Sequence, residues 1–307
     1  MCGIVGLFLK DEALQPELGR LLAQMLITMT DRGPDSAGMA IYGPEVPGRA
    51  KLTVQSDRPE GAFADLGATL SDSLGAPVEI TRRDTHAVLT VPSAQLQAAR
   101  IALSETYPEL RLMGRGTNLE IYKEVGLPRA VVDRFGIADM AGTHGIGHTR
   151  MATESAVTTM GAHPFNTGED QCLVHNGSLS NHNAWRRKLR RAGVEIETEN
   201  DTEVGAAYLT WRMRQGATLG DALQSGLTDL DGFFTFVVGT KDGFGVVRDP
   251  IACKPAIMAE TDQYVAFGSE YRALADLPGV DRARVWEPEP ATVYFWSHAA
   301  SPTERAA

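Results

Sequence analysis

Cys2 follows the initiator Met1 directly, at the head of the run Met1-Cys2-Gly3-Ile4-Val5-Gly6-Leu7-Phe8. A small second residue lets the methionine be clipped, which would leave a thiol and a free amine on one residue. An α-amine titrates near about 8, far below a lysine amine, and can accept a proton at neutral pH. One residue would then hold a nucleophile and its base, the logic of an N-terminal threonine paired with its own amine. The plainer alternative is a small buried hydrophobe at the start of a strand. Further along, Arg150 and Asn176 follow expected strands directly and Asp201 precedes an expected helix. Such positions let polar groups converge on a cleft at a sheet edge.

The elements needed to position these groups can be read from the apolar pattern. Residues 2–9 read as a buried strand, and 14–30 as an amphipathic helix with Leu18, Leu21, Leu22, Met25, Leu26 and Met29 on one side. A turn-rich loop, 31–38, returns to a strand at 39–42. From 144 on, short strands are expected at 145–149, 171–175, 233–239, 244–247, 255–258, 264–267 and 292–296, with helices at 181–192 and 202–215. Lys241-Asp242-Gly243 marks a hairpin. Residues 44–142 differ in texture, with extended segments at 78–91 and 119–125 and helices at 93–106 and 129–135. A stretch of that length with its own apolar positions reads as an inserted α/β lobe rather than a loop. The body is accordingly assigned to 2–43 and 143–298 and the lobe to 44–142, with a frayed tail from 299.

With 43% hydrophobic residues among 307, the chain can bury a large core. A net charge of −10 argues against nucleic acid as the main partner, since phosphate binding needs a basic surface. No run approaches the roughly 20 apolar residues of a membrane span. A cytoplasmic, reducing location is expected, and a working thiol would need one. Cys2, Cys172 and Cys253 are too few and dispersed for a disulfide framework or a zinc site, and the latter two read as inert core thiols.

Six motifs then occur in one order. They are Cys2-Gly3-Ile4-Val5-Gly6, Arg32-Gly33-Pro34-Asp35-Ser36-Ala37-Gly38, Gly147-His148-Thr149-Arg150-Met151-Ala152-Thr153, Ala162-His163-Pro164-Phe165, His175-Asn176-Gly177 and Asn200-Asp201-Thr202-Glu203. Together they resemble the glutaminase domain of the class II glutamine amidotransferases, members of the N-terminal nucleophile hydrolase superfamily. The resemblance spans nearly all of the chain outside 44–142. It implies an α+β fold, a four-layer αββα sandwich with the nucleophile at the start of a central strand. Carried onto this chain, it makes Cys2 the nucleophile and its α-amine the general base. Asn176 and the backbone N–H of Gly177 become the oxyanion hole. Arg150 clamps the glutamine α-carboxylate and Asp201 holds the α-ammonium, while Thr153 and His163 line or support the pocket. Arg32 and Gly33 brace the terminal cysteine. Better known members often carry tryptophan after the clamp arginine, where this chain has Met151.

Within the lobe, residues 116–123 and 134–136 are similar to stand-alone glutaminase-like subunits that accompany glutamate-synthase-like proteins, including N-methylglutamate synthase. That similarity implies ammonia delivery to a separate synthase subunit, no cofactor in this chain, and any flavin on the partner. Other acceptors, a sugar phosphate or aspartate, are the enzymatic alternatives; a catalytically silent glutamine sensor is the non-enzymatic one. Taken singly, each residue has a plainer reading. Asp201 could be a helix N-cap, Arg150 a structural ion pair, and Asn176-Gly177 a turn. His148, His163 and His175 could suggest a metal, although their spacing is not that of a ligand set. Arg186-Arg187-Lys188 with Arg190-Arg191 is a solvated basic face or a dock for an acidic partner.

Overall fold

Strand β1 (Gly3–Leu9) is buried along its whole length, and its side chains alternate between two cores. Val5, Leu7 and Leu9 face a helical layer, while Ile4 and Phe8 face a second sheet. Burial on both faces is what a strand at the middle of stacked layers requires. The computed structural model describes residues 2–152 and 156–298. The further strands are β2 (Ser36–Tyr42), β3 (Arg49–Gln55), β4 (Glu79–Arg83), β5 (His86–Pro92), β6 (Arg111–Gly116), β7 (Leu119–Val125) and β8 (His144–Arg150). They continue as β9 (Phe165–Gly168), β10 (Gln171–Leu179), β11 (Gly232–Gly239), β12 (Gly243–Arg248), β13 (Ile257–Glu260), β14 (Tyr264–Gly268), β15 (Arg284–Trp286) and β16 (Thr292–Ser297). The helices are α1 (Leu18–Thr28), α2 (Pro59–Ala62), α3 (Leu66–Leu74), α4 (Leu96–Thr106), α5 (Pro128–Phe135), α6 (His182–Arg191), α7 (Asp201–Arg214) and α8 (Leu219–Asp229).

Two sheets form the body, ordered β15-β13-β14-β1-β8-β2-β7 and β16-β12-β11-β10-β9. Between them Ile4, Phe8, Ile146, Val174, Val237 and Phe244 make a dry core. Helix α1, with α5, covers the outer face of the seven-stranded sheet through Leu18, Leu22, Met25 and Leu26. Helices α6, α7 and α8 cover the five-stranded sheet. This is the expected αββα layering. Each fully buried leucine or phenylalanine in these layers contributes about 1.5–3 kcal/mol over its exposed state. Helix α7 lies between α6 and α8, and every residue from 202 to 210 is buried. Helix α8 was not among the expected elements, although Leu219, Leu223 and Leu227 recur at helical spacing behind the reciprocal bonds of Thr218 and Asp221.

The inserted segment does not fold as one unit across 44–142. Only its first part forms a separate sheet, ordered β4-β5-β3-β6, with a core of Leu52, Val54, Phe63, Leu70, Leu89 and Leu103 under α3 and α4. Strand β7 instead pairs with β2 at the edge of the seven-stranded sheet, with Met39 opposite Tyr122. The reason is its pattern: Leu119 and Ile121 fill the inter-sheet core while Tyr122 fills the helical one. A strand buried on both faces belongs in the sandwich. Residues beyond it, Val131, Phe135, Ile137 and Met140, pack in the same core as α1.

Asp170 ties the chain where it leaves the lobe. Its carboxylate accepts from Thr117 N at 2.7 Å, Thr117 Oγ1 at 2.9 Å, Asn118 N at 3.1 Å and Leu119 N at 3.2 Å, and it is almost fully buried. Removing that acceptor strands backbone donors at about 1–3 kcal/mol each. Asp170→Ala is therefore expected to lower unfolding free energy by roughly 3 kcal/mol or more, and Asp170→Asn, which keeps one oxygen, by less. Urea titration of both variants measures this; an alanine variant as stable as the parent contradicts it.

Candidate active site

Cys2 stands immediately ahead of β1, and the chain on both sides of its carbonyl is held by side chains. The Cys2 carbonyl accepts from Arg32 Nε at 3.0 Å and from Asn176 Nδ2 at 3.0 Å. Gly3 N donates to Thr149 Oγ1 at 3.2 Å, and Ile4 N donates to Ser269 Oγ at 2.9 Å. These partners come from four places: the loop after α1, the end of β8, β10 of the other sheet, and the residue after β14. Cys2 thus sits where the two sheets meet. The Met151 N–H lies 3.4 Å from its sulfur. Arg32 is itself held, with Nη1 2.5 Å from Glu270, whose other oxygen takes Arg272 Nε at 2.7 Å. The bond from Arg32, helped by the charge of Arg272, lowers the Glu270 carboxyl below its ordinary value.

Arg150 closes β8 opposite Ser36, and it is buried. Its Nη1 donates to the Ala156 carbonyl at 3.3 Å. Asp35 braces the turn beyond it: Asp35 N donates to Arg150 O at 3.1 Å, and the Asp35 carboxylate accepts from Ala152 N at 2.8 Å. Gly33 lies flat on the same strand end, where a Cβ would come within 2.6 Å of Arg150 N. Thr153 lies outside the described residues. Asn176 and Gly177 sit inside strand β10, opposite Thr235 and Phe234, so the turn reading of this pair does not hold. Gly177 adopts φ +139° and a Cβ there would lie 1.9 Å from Phe233 O, which excludes any other residue. Asp201 opens α7, but the cap is Asn200, whose side chain accepts from Thr202 N at 2.9 Å. The Asp201 carboxylate instead accepts from Leu179 N at 2.9 Å and stands 3.8 Å from His175 Nδ1. Leu179 is three residues beyond Asn176 on one strand, so Asp201 is drawn toward the same end of the sandwich.

The family described as glutamine amidotransferase domain matches residues 131–305. The glutamine amidotransferase-like protein GlxB of Rhizobium meliloti (strain 1021) is 66% identical over 298 residues, covering 97% of this chain and 99% of that protein. This chain belongs to the glutamine amidotransferase family. A putative glutamine amidotransferase of Methanothermobacter thermautotrophicus is 33% identical over 306 residues, with 96% and 99% covered. Among solved structures, the glutamine phosphoribosylpyrophosphate amidotransferase from B. subtilis superposes with a TM-score of 0.61 at 19% identity, a likeness of fold. The alignment covers 97% of this chain and 47% of that enzyme, so this chain spans about half the enzyme's length. The protein is a class II glutamine amidotransferase, an enzyme that draws nitrogen from the glutamine side-chain amide.

Behind the amidotransferase site lies a buried polar column. The His148 and His163 rings stack at 4.0 Å, and Thr202 Oγ1 joins His163 Nε2 at 2.8 Å to His175 Nδ1 at 3.0 Å. His163 is buried in this column, one layer from the site's main-chain anchors, and supports the start of α7. Among the described residues no group of three or more His, Cys, Asp or Glu is placed to hold a metal ion. Cys172 is buried against the Tyr42 hydroxyl at 3.3 Å, and burial pushes its thiol up to about 12. Cys253 is exposed, which corrects its reading as a core thiol. In the basic helix Arg186 is buried, whereas Lys188 lies over the Trp185 ring at 4.0 Å. Sequence reasoning singled out neither Thr149 nor Ser269, nor the Met151 backbone. Ser269 carried one usable signal, a polar residue directly after a wholly apolar strand.

Burial drives His86, His144 and His148 down to about 3 and lowers His163 and His175 too. Unfolded imidazoles take protons below about 6.5, while the folded ones stay neutral. Stability is then complete above about pH 6.5 and is lost as pH falls from there toward about 3, at up to about 1.4 kcal/mol per histidine per pH unit. Urea midpoints are expected to fall between about pH 6.5 and 4.5. A midpoint constant across that range would contradict neutral, buried histidines.

Proposed function

We propose that Cys2, exposed as the first residue once Met1 is removed, is the nucleophile of glutamine hydrolysis. The observation that carries this reading is the doubly held Cys2 carbonyl, with the thiol beneath the Met151 N–H at the junction of the sheets. The α-amine takes the proton of the Cys2 thiol, the resulting thiolate attacks the side-chain amide carbon of glutamine, and the amine gives that proton to the leaving nitrogen. The C–N bond breaks, ammonia departs, and a glutamyl thioester remains. Water then attacks that thioester, releasing glutamate and restoring the thiol. Asn176 Nδ2 and the Gly177 N–H stabilise the oxyanion of both steps. Arg150 takes the α-carboxylate with its planar fork, and Asp201 the α-ammonium. Thr153 and His163 support the pocket wall, with Arg32 and Gly33 bracing Cys2.

The ammonia acceptor in this reading is a separate glutamate-synthase-like or N-methylglutamate-synthase-like subunit, which holds any flavin. What supports it is the similarity of residues 116–123 and 134–136 to stand-alone subunits. Among the described residues no helix is long and apolar enough to cross a membrane. A reducing compartment such as the cytoplasm suits a working thiol.

Glutaminase assays separate this reading from a silent glutamine sensor. Cys2→Ala is expected to show only background turnover. Asn176→Ala should lose about 10²–10³ in kcat, the usual effect of one lost oxyanion donor. Arg150→Lys should act mainly on KM, since an ammonium cannot reproduce the bidentate contact. A Cys2→Ala protein as active as its parent would end the proposal.

A further inference from the structure

The inserted lobe meets the body across two adjoining cavities of about 320 and 420 Å³, which share Arg100, Arg115 and Glu195 in their walls. Both fall within the size range of small-molecule sites, and neither contains a residue assigned above to the glutamine site. They differ in chemistry. The first is mixed: Leu103, Leu110, Leu112 and Met113 wall it on the lobe side and Phe165 on the body side, with Arg111, Lys123, Glu197 and Glu203 at its border. The second is polar, bounded by Arg100, Arg115, Arg214, Gln171 and Thr210.

Donors predominate in the polar chamber. Three guanidiniums stand against two carboxylates, Glu169 and Glu195, and Glu195 is engaged by Arg100 at 2.6 Å. Arg115 gives Nη2 to the Thr167 carbonyl at 3.0 Å. Its burial, together with the charges of Arg100 and Arg214, lowers its hold on its proton. Gln171 is 2% exposed; its Oε1 accepts from Thr210 Oγ1 at 2.7 Å, and its Nε2 has no partner among the described residues. A buried N–H without an acceptor is costly, and crowded like charges are too. An anionic oxygen would relieve both.

We propose that this seam binds a small organic anion, its carboxylate or phosphate among Arg100, Arg115, Arg214 and Gln171 and its apolar body in the chamber of Leu103, Leu110, Leu112 and Phe165. The lobe supplies the apolar wall, which gives the insertion a role. The site is also joined to the glutamine pocket, a link that rests on the function proposed above. Lys123 borders the apolar chamber and donates to the carbonyls of Met160, Ala162 and Pro164 at 3.4, 2.8 and 3.2 Å. That segment continues from Ala156, the acceptor of Arg150. Glu203 also borders the chamber, two residues after Asp201 on α7. Occupancy therefore bears on the segments that carry both proposed glutamine ligands, and the anion acts as an effector.

Calorimetric titration of the full chain tests this with phenyl phosphate, phenylacetate and inorganic phosphate as probes. At least one phenyl anion is expected to bind one per chain and about tenfold or more tighter than inorganic phosphate; which one does so tells phosphate from carboxylate. Arg214→Glu, a change at an exposed position, should weaken it about tenfold or more, and Leu112→Asp should do the same through the apolar chamber. Absence of binding by both phenyl anions, equal binding of inorganic phosphate, or unchanged affinity in Arg214→Glu would overturn the site. The titration works equally on Cys2→Ala protein, so it stands apart from the fate of the nucleophile. In turnover assays the tighter anion should shift KM for glutamine about threefold or more, and Arg214→Glu should abolish that shift while leaving turnover without anion unchanged. Binding with no shift in KM would overturn the effector role.

Discussion

The start of β1 is fixed by one carbonyl. Cys2 O is shared between Arg32, from the helical side of the seven-stranded sheet, and Asn176, from the other sheet. Two charged or polar donors on one oxygen restrain its plane, and with it the direction in which the adjoining side chain leaves the backbone. Thr149 and Ser269 secure the next two amides, so the first turn-free residues cannot fray as chain starts usually do. The nucleophile proposed at Cys2 would gain from this, because a reacting atom held near its target removes most of the orientational cost of attack.

The same restraint organises what lies around it. Arg32 keeps its geometry through Glu270, and Gly33 lets its loop rest against Arg150. Asn176 is placed by β10, whose following residues reach Asp201 through Leu179 N. Groups from distant parts of the chain, on the loop after α1, β8, β10 and α7, are thereby brought to one end of the sandwich. Burial holds the histidines of the column behind it neutral, while Arg150 and Asp201 stand at a strand end and a helix start.

Much of this was legible in the sequence, for particular reasons. Strand β1 could be read because seven apolar or small residues run without interruption, and α1 because Leu18, Leu22, Met25 and Leu26 repeat at helical spacing. Asn200 and Asp201 stood in a recognisable order, yet only the fold shows that Asn200 caps α7 while Asp201 accepts from Leu179 N. The lobe boundary was misplaced because β7 has the composition of any buried strand, and nothing local says which sheet it joins. Strands β3, β6 and β9 went unread for a related reason: register is set by partners distant in sequence, as in the shift where β3 meets β6 near Thr53. Thr149 and Ser269 act through hydroxyls on main-chain amides, a role that residue type alone does not announce.

The proposed chemistry depends on a thiol whose own amine is free. Intact-mass measurement of purified, active protein before and after treatment with 6-diazo-5-oxo-norleucine, followed by peptide mapping, tests that most directly. The account predicts a mass lacking the initiator methionine, then a single adduct on the peptide that begins at Cys2. Active protein that retains Met1, or an adduct on Cys172 or Cys253 instead, would contradict it.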